Sequence, residues 1–166
     1  MEIPSWTRRR DFVLQELDDA DRRILRALQA EPELSVAQLG ERVGLSATPC
    51  WRRLKRLKES GVIQRQALVL DPRQVGLPVS VVAHLKLHRH DEETLEGFES
   101  AVLGHGEIVE CFSVSGDSDY VMRVVAASIE DYERFLKRVL LHLPGVASVN
   151  SSFTLNVVKL TTDLPV

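Results

Sequence analysis

Residues 35–61, SVAQLGERVGLSATPCWRRLKRLKESG, contain two short helical patterns that only three residues separate. The first begins at Ser35, and Gln38 three residues later completes a capping-box pattern. The second begins at Ser46 and runs to about Ser60, with Gly61 in the C-cap position. Two short helices joined by a tight turn, the second of them basic, are the arrangement of a helix-turn-helix.

The second helical pattern has an apolar side and a polar side. At about 100° per residue, Cys50, Leu54 and Leu57 fall together, so we expect them to face the core, with Cys50 a small buried thiol. The opposite side, its flanks and one residue beyond the helix carry the predicted DNA contacts: Thr48, Trp51, Arg52, Arg53, Lys55, Arg56 and Arg65. Thr48 and Arg52 are the predicted base readers, because the first residues of a recognition helix reach deepest and arginine pairs with guanine.

Basic residues are concentrated in one part of an otherwise acidic chain. The net charge is −3 over 166 residues, whereas residues 46–65 alone carry +5, which indicates a local anion-binding surface. No run approaches the roughly 20 apolar residues that span a membrane, and no apolar region follows the basic N-terminus, so we expect a cytoplasmic protein. Cys50 and Cys111 form no CxxC pair, and we expect both to be free thiols.

Changes in pattern divide the chain into segments. Helical spacing over residues 17–30 predicts one more helix before the helix-turn-helix, and the β-branched stretch from Val62 to Pro72 predicts a wing or connecting strand. Glycine and proline residues in the next segment indicate a linker. We predict an N-terminal arm, a DNA-binding domain, a linker and an effector-binding and oligomerisation domain, over residues 1–16, 17–70, 71–78 and 79–166.

The last of these domains alternates strands with helices. Apolar residues from Val79 to Leu87 alternate with mostly polar neighbours, which predicts a strand with one buried face. Two helical stripes and three more strands follow, the last from Val149 to Leu160. The order β-α-β-β-α-β is typical of a ferredoxin-like domain. The predicted fold class is therefore α+β, a winged helix-turn-helix followed by a ferredoxin-like βαββαβ regulatory domain.

The hexapeptide SGDSDY, residues 115–120, joins the two predicted middle strands and brings two carboxylates to one loop. The same residues make ordinary hairpin turns, and that interpretation stays open. A calcium loop would need more oxygen ligands, and a glycosidase pair would need acids across a cleft. A glycine-bearing turn offers donors to an amino acid's carboxylate, and an aspartate accepts from its ammonium group. The predicted effector contacts are Ser115, Gly116, Asp117, Asp119 and Tyr120, with at least one aspartate expected to serve the turn itself.

Other polar residues give no catalytic or metal prediction. His84, His88 and His90 would share one face if the first strand continued, as a zinc site requires, but no cysteine pair or HxxxH accompanies them. His105, in a GHGE loop, is either near the effector pocket or a turn residue. No Ser-His-Asp order, nucleophile elbow or phosphate-cradling loop is present. We therefore predict no catalytic residues, no metal and no cofactor, and a protein that is not an enzyme.

Four motifs follow one another along the chain: LDDADRRILRALQ, VGLSATPCWRRLKRLKESGVI, VSGDSDYVMRV and LPGVASVNSSF. They resemble, in this order, the opening helix, the recognition helix, the regulatory loop with its strand, and the closing turn of Lrp/AsnC transcription regulators. The resemblance covers residues 17 to about 160. TPCWRRLKRL and the tail SSFTLNVVKLTTDLP are similar to the branch of the family that responds to cysteine.

The resemblance implies a sequence-specific transcription regulator that an amino acid, in that branch cysteine, controls. It implies dimers that assemble into octamers, with the effector bound between dimers. Two-fold symmetry of the dimer then predicts a pseudo-palindromic site on double-stranded DNA. Two alternatives stay open: an architectural DNA-binding protein without an effector, and a sensing domain that regulates an enzyme.

Overall fold

The computed structural model describes residues 16–166, which form two units. One contains residues 16–68 together with residues 160–166, and the other contains residues 69–159. The predicted N-terminal arm lies outside the described residues except for Glu16. Among the helices of residues 16–166, none has the length and apolar character needed to cross a membrane.

The first unit, called the helical unit below, contains three helices: α1 at Asp19–Ala30, α2 at Val36–Val43 and α3 at Ala47–Glu59. The predicted capping box before α2 is confirmed. The Gln38 backbone N–H donates to Ser35 Oγ at 3.3 Å, and the Ser35 N–H donates to Gln38 Oε1 at 2.9 Å. These bonds satisfy two N–H groups that a helix start would otherwise leave without partners.

The turn between α2 and α3 depends on two glycines. Gly44 ends α2 in the left-handed region at φ +71°, where a side chain would be strained. A Cβ on Gly40 would lie 2.7 Å from the carbonyl oxygen of Leu45, so only glycine allows this close approach. The helices bury one common core: Ile24, Leu25, Ala27, Leu39, Val43, Cys50 and Leu57.

The C-terminal residues 160–166 pack against α1. The Gln29 side-chain amide donates to the Leu164 carbonyl oxygen at 3.0 Å, and the Leu164 N–H donates to Gln29 Oε1 at 2.7 Å. Val166 packs against the core of the helical unit. The prediction assigned this segment to the second domain. The contacts with α1 join residues about 135 apart, so they leave no local pattern in the sequence.

The second unit, called the regulatory unit below, contains one four-stranded antiparallel sheet and two helices. Its elements are β1 at Val79–Leu87, α4 at Glu92–Val102, β2 at Ile108–Ser113, β3 at Tyr120–Ala126, α5 at Ile129–Arg138, a 3-10 turn at Leu140–His142 and β4 at Val146–Phe153. The strand order in the sheet is β2-β3-β1-β4. The predicted β-α-β-β-α-β order and the α+β fold class are confirmed.

One face of the sheet and the helices share a core. Alternate residues of β1 are buried, as the pattern of that strand predicted. They pack with Phe98 of α4, Tyr132 of α5 and Leu140 of the 3-10 turn. β3 adds Tyr120 and Met122 to the same core.

Two predicted strands differ from the structure. The stretch from Val62 to Pro72 forms no strand, because no other described segment pairs with its backbone. The last strand runs over Val146–Phe153 and ends where its pairing with β1 ends, seven residues before the predicted end at Leu160. An apolar β-branched sequence favours extended backbone, but a strand requires a neighbour for its hydrogen bonds.

Candidate DNA interface and effector loop

The outer face of α3 carries four of the predicted DNA contacts. Thr48 and Arg52 are exposed, and Arg52 forms no ion pair with any described residue. The Lys55 ammonium lies 5.4 Å from the centroid of the half-exposed Trp51 ring, within cation–π range. Arg65 is also exposed, but it follows α3 in the stretch that forms no strand. One solvent-facing surface of α3 therefore carries Thr48, Trp51, Arg52 and Lys55.

Arg53 and Arg56 differ from these residues because acidic groups of α1 hold them. Arg53 Nη1 lies 2.6 Å from Asp18 Oδ2 and 2.9 Å from Asp21 Oδ1. Arg56 Nη2 donates to Asp21 Oδ2. The Asp21 side chain is fully buried, whereas those of Arg53 and Arg56 are 30% and 49% exposed. These two arginines therefore lie on the flank of α3 that faces α1.

Asp21 is a residue of the DNA-facing site that sequence reasoning missed. Its only sequence signal is its position three residues after Asp18, the spacing of a capping box, and that box is present. The pKa of Asp18 is lowered by the Asp21 N–H that it accepts and by Arg53. Nothing in the local pattern indicates that a capping carboxylate also binds two arginines more than 30 residues away.

Both cysteines are free thiols, as predicted. Cys50 is fully buried in the helical core, and burial raises the pKa of its thiol. Cys111 in β2 has a pKa raised to about 11, first by burial and then by the nearby Glu99 carboxylate. Because the thiolate is the reactive form, both groups are poorly reactive near neutral pH.

The SGDSDY loop joins β2 to β3, and one of its aspartates holds the loop to β1. Asp119 Oδ2 accepts the Leu87 N–H at 2.7 Å, and Asp119 Oδ1 lies 2.8 Å from His90 Nε2. The backbone N–H of Asp119 donates to the Leu85 carbonyl oxygen at 2.9 Å. These contacts, led by the bond from Leu87, lower the pKa of Asp119. Of the two aspartates in the loop, Asp119 therefore has a structural role.

The other predicted effector residues fall into two groups. Ser115, Gly116 and Asp117 are exposed, and Gly116 has a positive φ of 124° that favours glycine. Tyr120 is buried against the Phe98 ring, with 4.4 Å between centroids, and its hydroxyl donates to Glu99 Oε1 at 2.9 Å. Burial raises the pKa of Tyr120 well above its usual range, and Glu99 adds to the effect. The structure therefore brings three of the five predicted contacts to the surface together, while the other two pack against β1 and α4.

Asp117 also borders a polar depression on the open face of the sheet. The depression has a volume of about 440 Å³. Sequence reasoning did not assign most of the residues that line it, since they come from three separate segments: His84, Lys86, Asp117, Ser118, Ser148, Asn150 and Ser152. The depression places an ammonium group, one carboxylate, an imidazole, three hydroxyls and an amide within one small surface.

The three histidines considered for a metal site do not converge in the structure. His84 borders the polar depression, whereas His90 contacts Asp119. The described residues contain no group of three or more His, Cys, Asp or Glu side chains that could hold a metal ion. The His105 ring packs edge-on against Phe135, with 5.8 Å between centroids.

A helix-turn-helix and a separate βαββαβ ligand-binding unit in one chain define a DNA-binding transcription regulator with a sensory domain. The Lrp/AsnC ligand-binding domain family matches residues 80–164, and a winged helix-turn-helix DNA-binding family matches residues 17–64. The chain belongs to the Lrp/AsnC family of transcriptional regulators. The predictions of the family, the fold, the DNA-binding regulatory function and the absence of enzymatic activity are confirmed.

Individual relatives match over almost the whole chain. The DNA-binding transcriptional activator DecR of Escherichia coli K12 is 37% identical over 90% of this chain and 99% of its own. An AsnC family regulator from Agrobacterium tumefaciens superposes with a TM-score of 0.85 at 42% identity, over 90% and 97% of the two chains. The regulator NMB0573 from Neisseria meningitidis, in complex with L-Met, gives a TM-score of 0.86 at 34% identity over the same shares.

Proposed function

We propose that α3 reads DNA through Thr48 and Arg52, with Trp51 and Lys55 supporting its approach to the backbone. Arg65 belongs to the same proposed interface, whereas Arg53 and Arg56, also predicted as DNA contacts, lie at its edge, where Asp18 and Asp21 hold them. The observation that carries this assignment is the Arg52 side chain, exposed on the outer face of a basic helix with no ion-pair partner among the described residues. A guanidinium in that state is available for a bidentate pair with guanine.

The experiment measures the affinity of the whole protein for a duplex selected from a random DNA pool. Arg52→Gln lowers that affinity by about tenfold or more, since one good base contact contributes about 1–3 kcal/mol. Arg138→Gln, on the regulatory unit, is the matched control and leaves the affinity unchanged. Equal affinities for Arg52→Gln and the unsubstituted protein refute the assignment. Affinity also falls steeply with salt, because bound lysine and arginine release counterions from phosphates.

We infer that the regulatory unit binds an amino acid at the exposed side of the SGDSDY loop. The support is chemical: Asp117 is an exposed carboxylate next to the polar depression, and Gly116 opens the backbone beside it. The L-Met complex of the relative NMB0573 supports the same class of ligand. Asp119 and Tyr120 act in this proposal by holding the loop in place.

A thermal-shift screen against the twenty amino acids tests this proposal, with cysteine included because of the branch that the sequence resembles. A ligand present at 100 times its Kd stabilises the folded state by about 2.7 kcal/mol. Asp117→Asn abolishes the shift, whereas the control Glu130→Gln on α5 preserves it. A panel without any shift, together with DNA binding that no amino acid alters, supports instead the architectural DNA-binding alternative.

We propose further that the chain forms dimers that assemble into octamers and bind a pseudo-palindromic operator. The support is the apolar surface that a single chain leaves exposed, including Phe112 of β2 and, beyond β4, Leu155, which is 96% exposed. Light scattering after size exclusion, with and without the identified amino acid, measures the assembly. A monomer at micromolar concentration refutes the proposal.

A further inference from the structure

Asp21 is the one charged side chain that is buried among the described residues, and it lies at the start of α1. A buried carboxylate without partners would be strongly unfavourable, so its partners determine which conformations of the unit are populated. Besides the capping-box N–H of Asp18, its partners are two arginines of α3: Arg53 at 2.9 Å and Arg56 on the other carboxylate oxygen. The carboxylate therefore links the first helix to the helix that faces DNA.

The contacts distribute the positive charge of α3 unevenly. Asp18 and Asp21 share Arg53, whose side chain is 30% exposed, and Asp21 alone holds Arg56. Arg52 and Lys55 remain on the outer face without an acidic partner from α1. Asp18 and Asp21 thus hold two of the four cations between positions 52 and 56. Of the other two, Lys55 Nζ lies 3.6 Å from Glu59 Oε1 at the exposed surface of α3, and Arg52 has no ion-pair partner among the described residues.

We infer that Asp21 is a positioning residue for DNA recognition: it fixes α3 against α1 and restrains Arg53 and Arg56 from binding phosphates of any sequence. This inference rests on the proposed role of α3 as the reading helix. The consequence is a higher specificity of the protein for its own DNA site over other sequences. A guanidinium that leaves its carboxylate gains a phosphate contact, and such contacts strengthen binding to every DNA sequence alike.

The test compares two duplexes: one selected from a random pool by the full chain, and one of scrambled sequence. Asp21→Asn raises the affinity for the scrambled duplex and steepens its dependence on salt by about one released counterion per subunit. It lowers the ratio of specific to non-specific affinity by about tenfold. The control Glu110→Gln removes one negative charge from the regulatory unit and leaves the salt dependence unchanged.

The double variant Asp21→Asn with Arg56→Gln distinguishes positioning from a purely structural role. If the freed Arg56 guanidinium causes the effect, removing it returns the salt dependence to the value of the unsubstituted protein. If Asp21 only stabilises the fold, Asp21→Asn weakens binding to both duplexes equally, the salt dependence stays constant and the double variant restores nothing. That result overturns the inference.

Circular dichroism shows whether Asp21→Asn folds. If it does not fold, the single variant Arg56→Gln tests the inference instead, because Arg53 still pairs with Asp21 in that variant. The inference requires that this variant leaves the salt dependence unchanged. If the DNA affinity of Arg56→Gln depends less steeply on salt, by about one counterion, then Arg56 contacts phosphate in the unsubstituted protein. That result overturns the inference. Arg52→Gln in the same assay distinguishes a failure of the proposed function from a failure of this inference. If Arg52→Gln leaves the affinity for the selected duplex unchanged, that result refutes α3 as the reading helix and not the role of Asp21.

Discussion

Replacing Asp119 and replacing Asp117 have different expected results, although the two aspartates are only two residues apart. Asp119 accepts the N–H of the buried Leu87 and contacts His90, whereas Asp117 is exposed and borders only the polar depression. Asp119→Ala therefore destabilises the regulatory unit. Asp117→Ala leaves its stability within about 0.5 kcal/mol, as for most exposed positions, and removes the proposed ligand contact.

The magnitude for Asp119 comes mainly from one hydrogen bond. A bond to an ionised carboxylate contributes about 1.5–3 kcal/mol, and the Leu87 N–H would lose its only acceptor in a buried position. The pair with His90 adds less than about 0.5 kcal/mol, because the histidine side chain is 62% exposed. The sum is about 2–3 kcal/mol, which corresponds to a decrease of roughly 10–20 °C in Tm for a domain of this size.

Peptide-resolved hydrogen exchange measures this effect in β1 and β3 separately from the helical unit, and thermal melts by circular dichroism give Tm. Asp119→Asn, which keeps one acceptor oxygen, loses less than Asp119→Ala. The pH dependence gives a second check. The pKa of Asp119 is lowered from 3.8, so its contribution is present above that pH and is lost as the pH falls through the folded-state value. Equal protection in the Asp117→Ala and Asp119→Ala variants refutes the reasoning.

Three further predictions concern other contacts. Gln29→Ala removes both bonds to Leu164 and lowers the free energy of unfolding of the helical unit by about 1 kcal/mol, measured by urea denaturation; an unchanged midpoint contradicts the docking of residues 160–166. Alkylation of Cys111 in the native protein is slow at pH 8 and accelerates towards its pKa of about 11, which mass spectrometry follows; fast labelling at pH 8 contradicts its burial. Arg123 lowers the pKa of Glu110 from 4.5, so the pair stabilises the fold above that pH and ceases to do so as the pH falls through the folded-state value. The stabilities of Glu110→Gln and the unsubstituted protein, followed by acid titration, therefore converge below pH 4.5, and a constant difference contradicts the pairing.

Helix starts and the element order were predictable because their signals are local. Ser35 and Gln38 lie three residues apart, and both bonds of a capping box form within one turn. The alternation in β1 likewise determines which of its residues are buried. The stretch from Val62 to Pro72 has the composition of a strand, yet it lacks the neighbour that a strand requires.

The sequence by itself determined the two-unit α+β plan, the basic helix α3 and the loop between β2 and β3, because periodicity and capping act over three or four residues. The tertiary structure decided which charged groups are available to bind DNA or a ligand. Arg52 and Arg56 are four residues apart on one helix, yet only Arg56 meets the buried Asp21. Asp117 and Asp119 share one loop, yet only Asp119 is used by β1. Such pairs join residues about 30 positions apart, so they exist only after the helices and strands have packed.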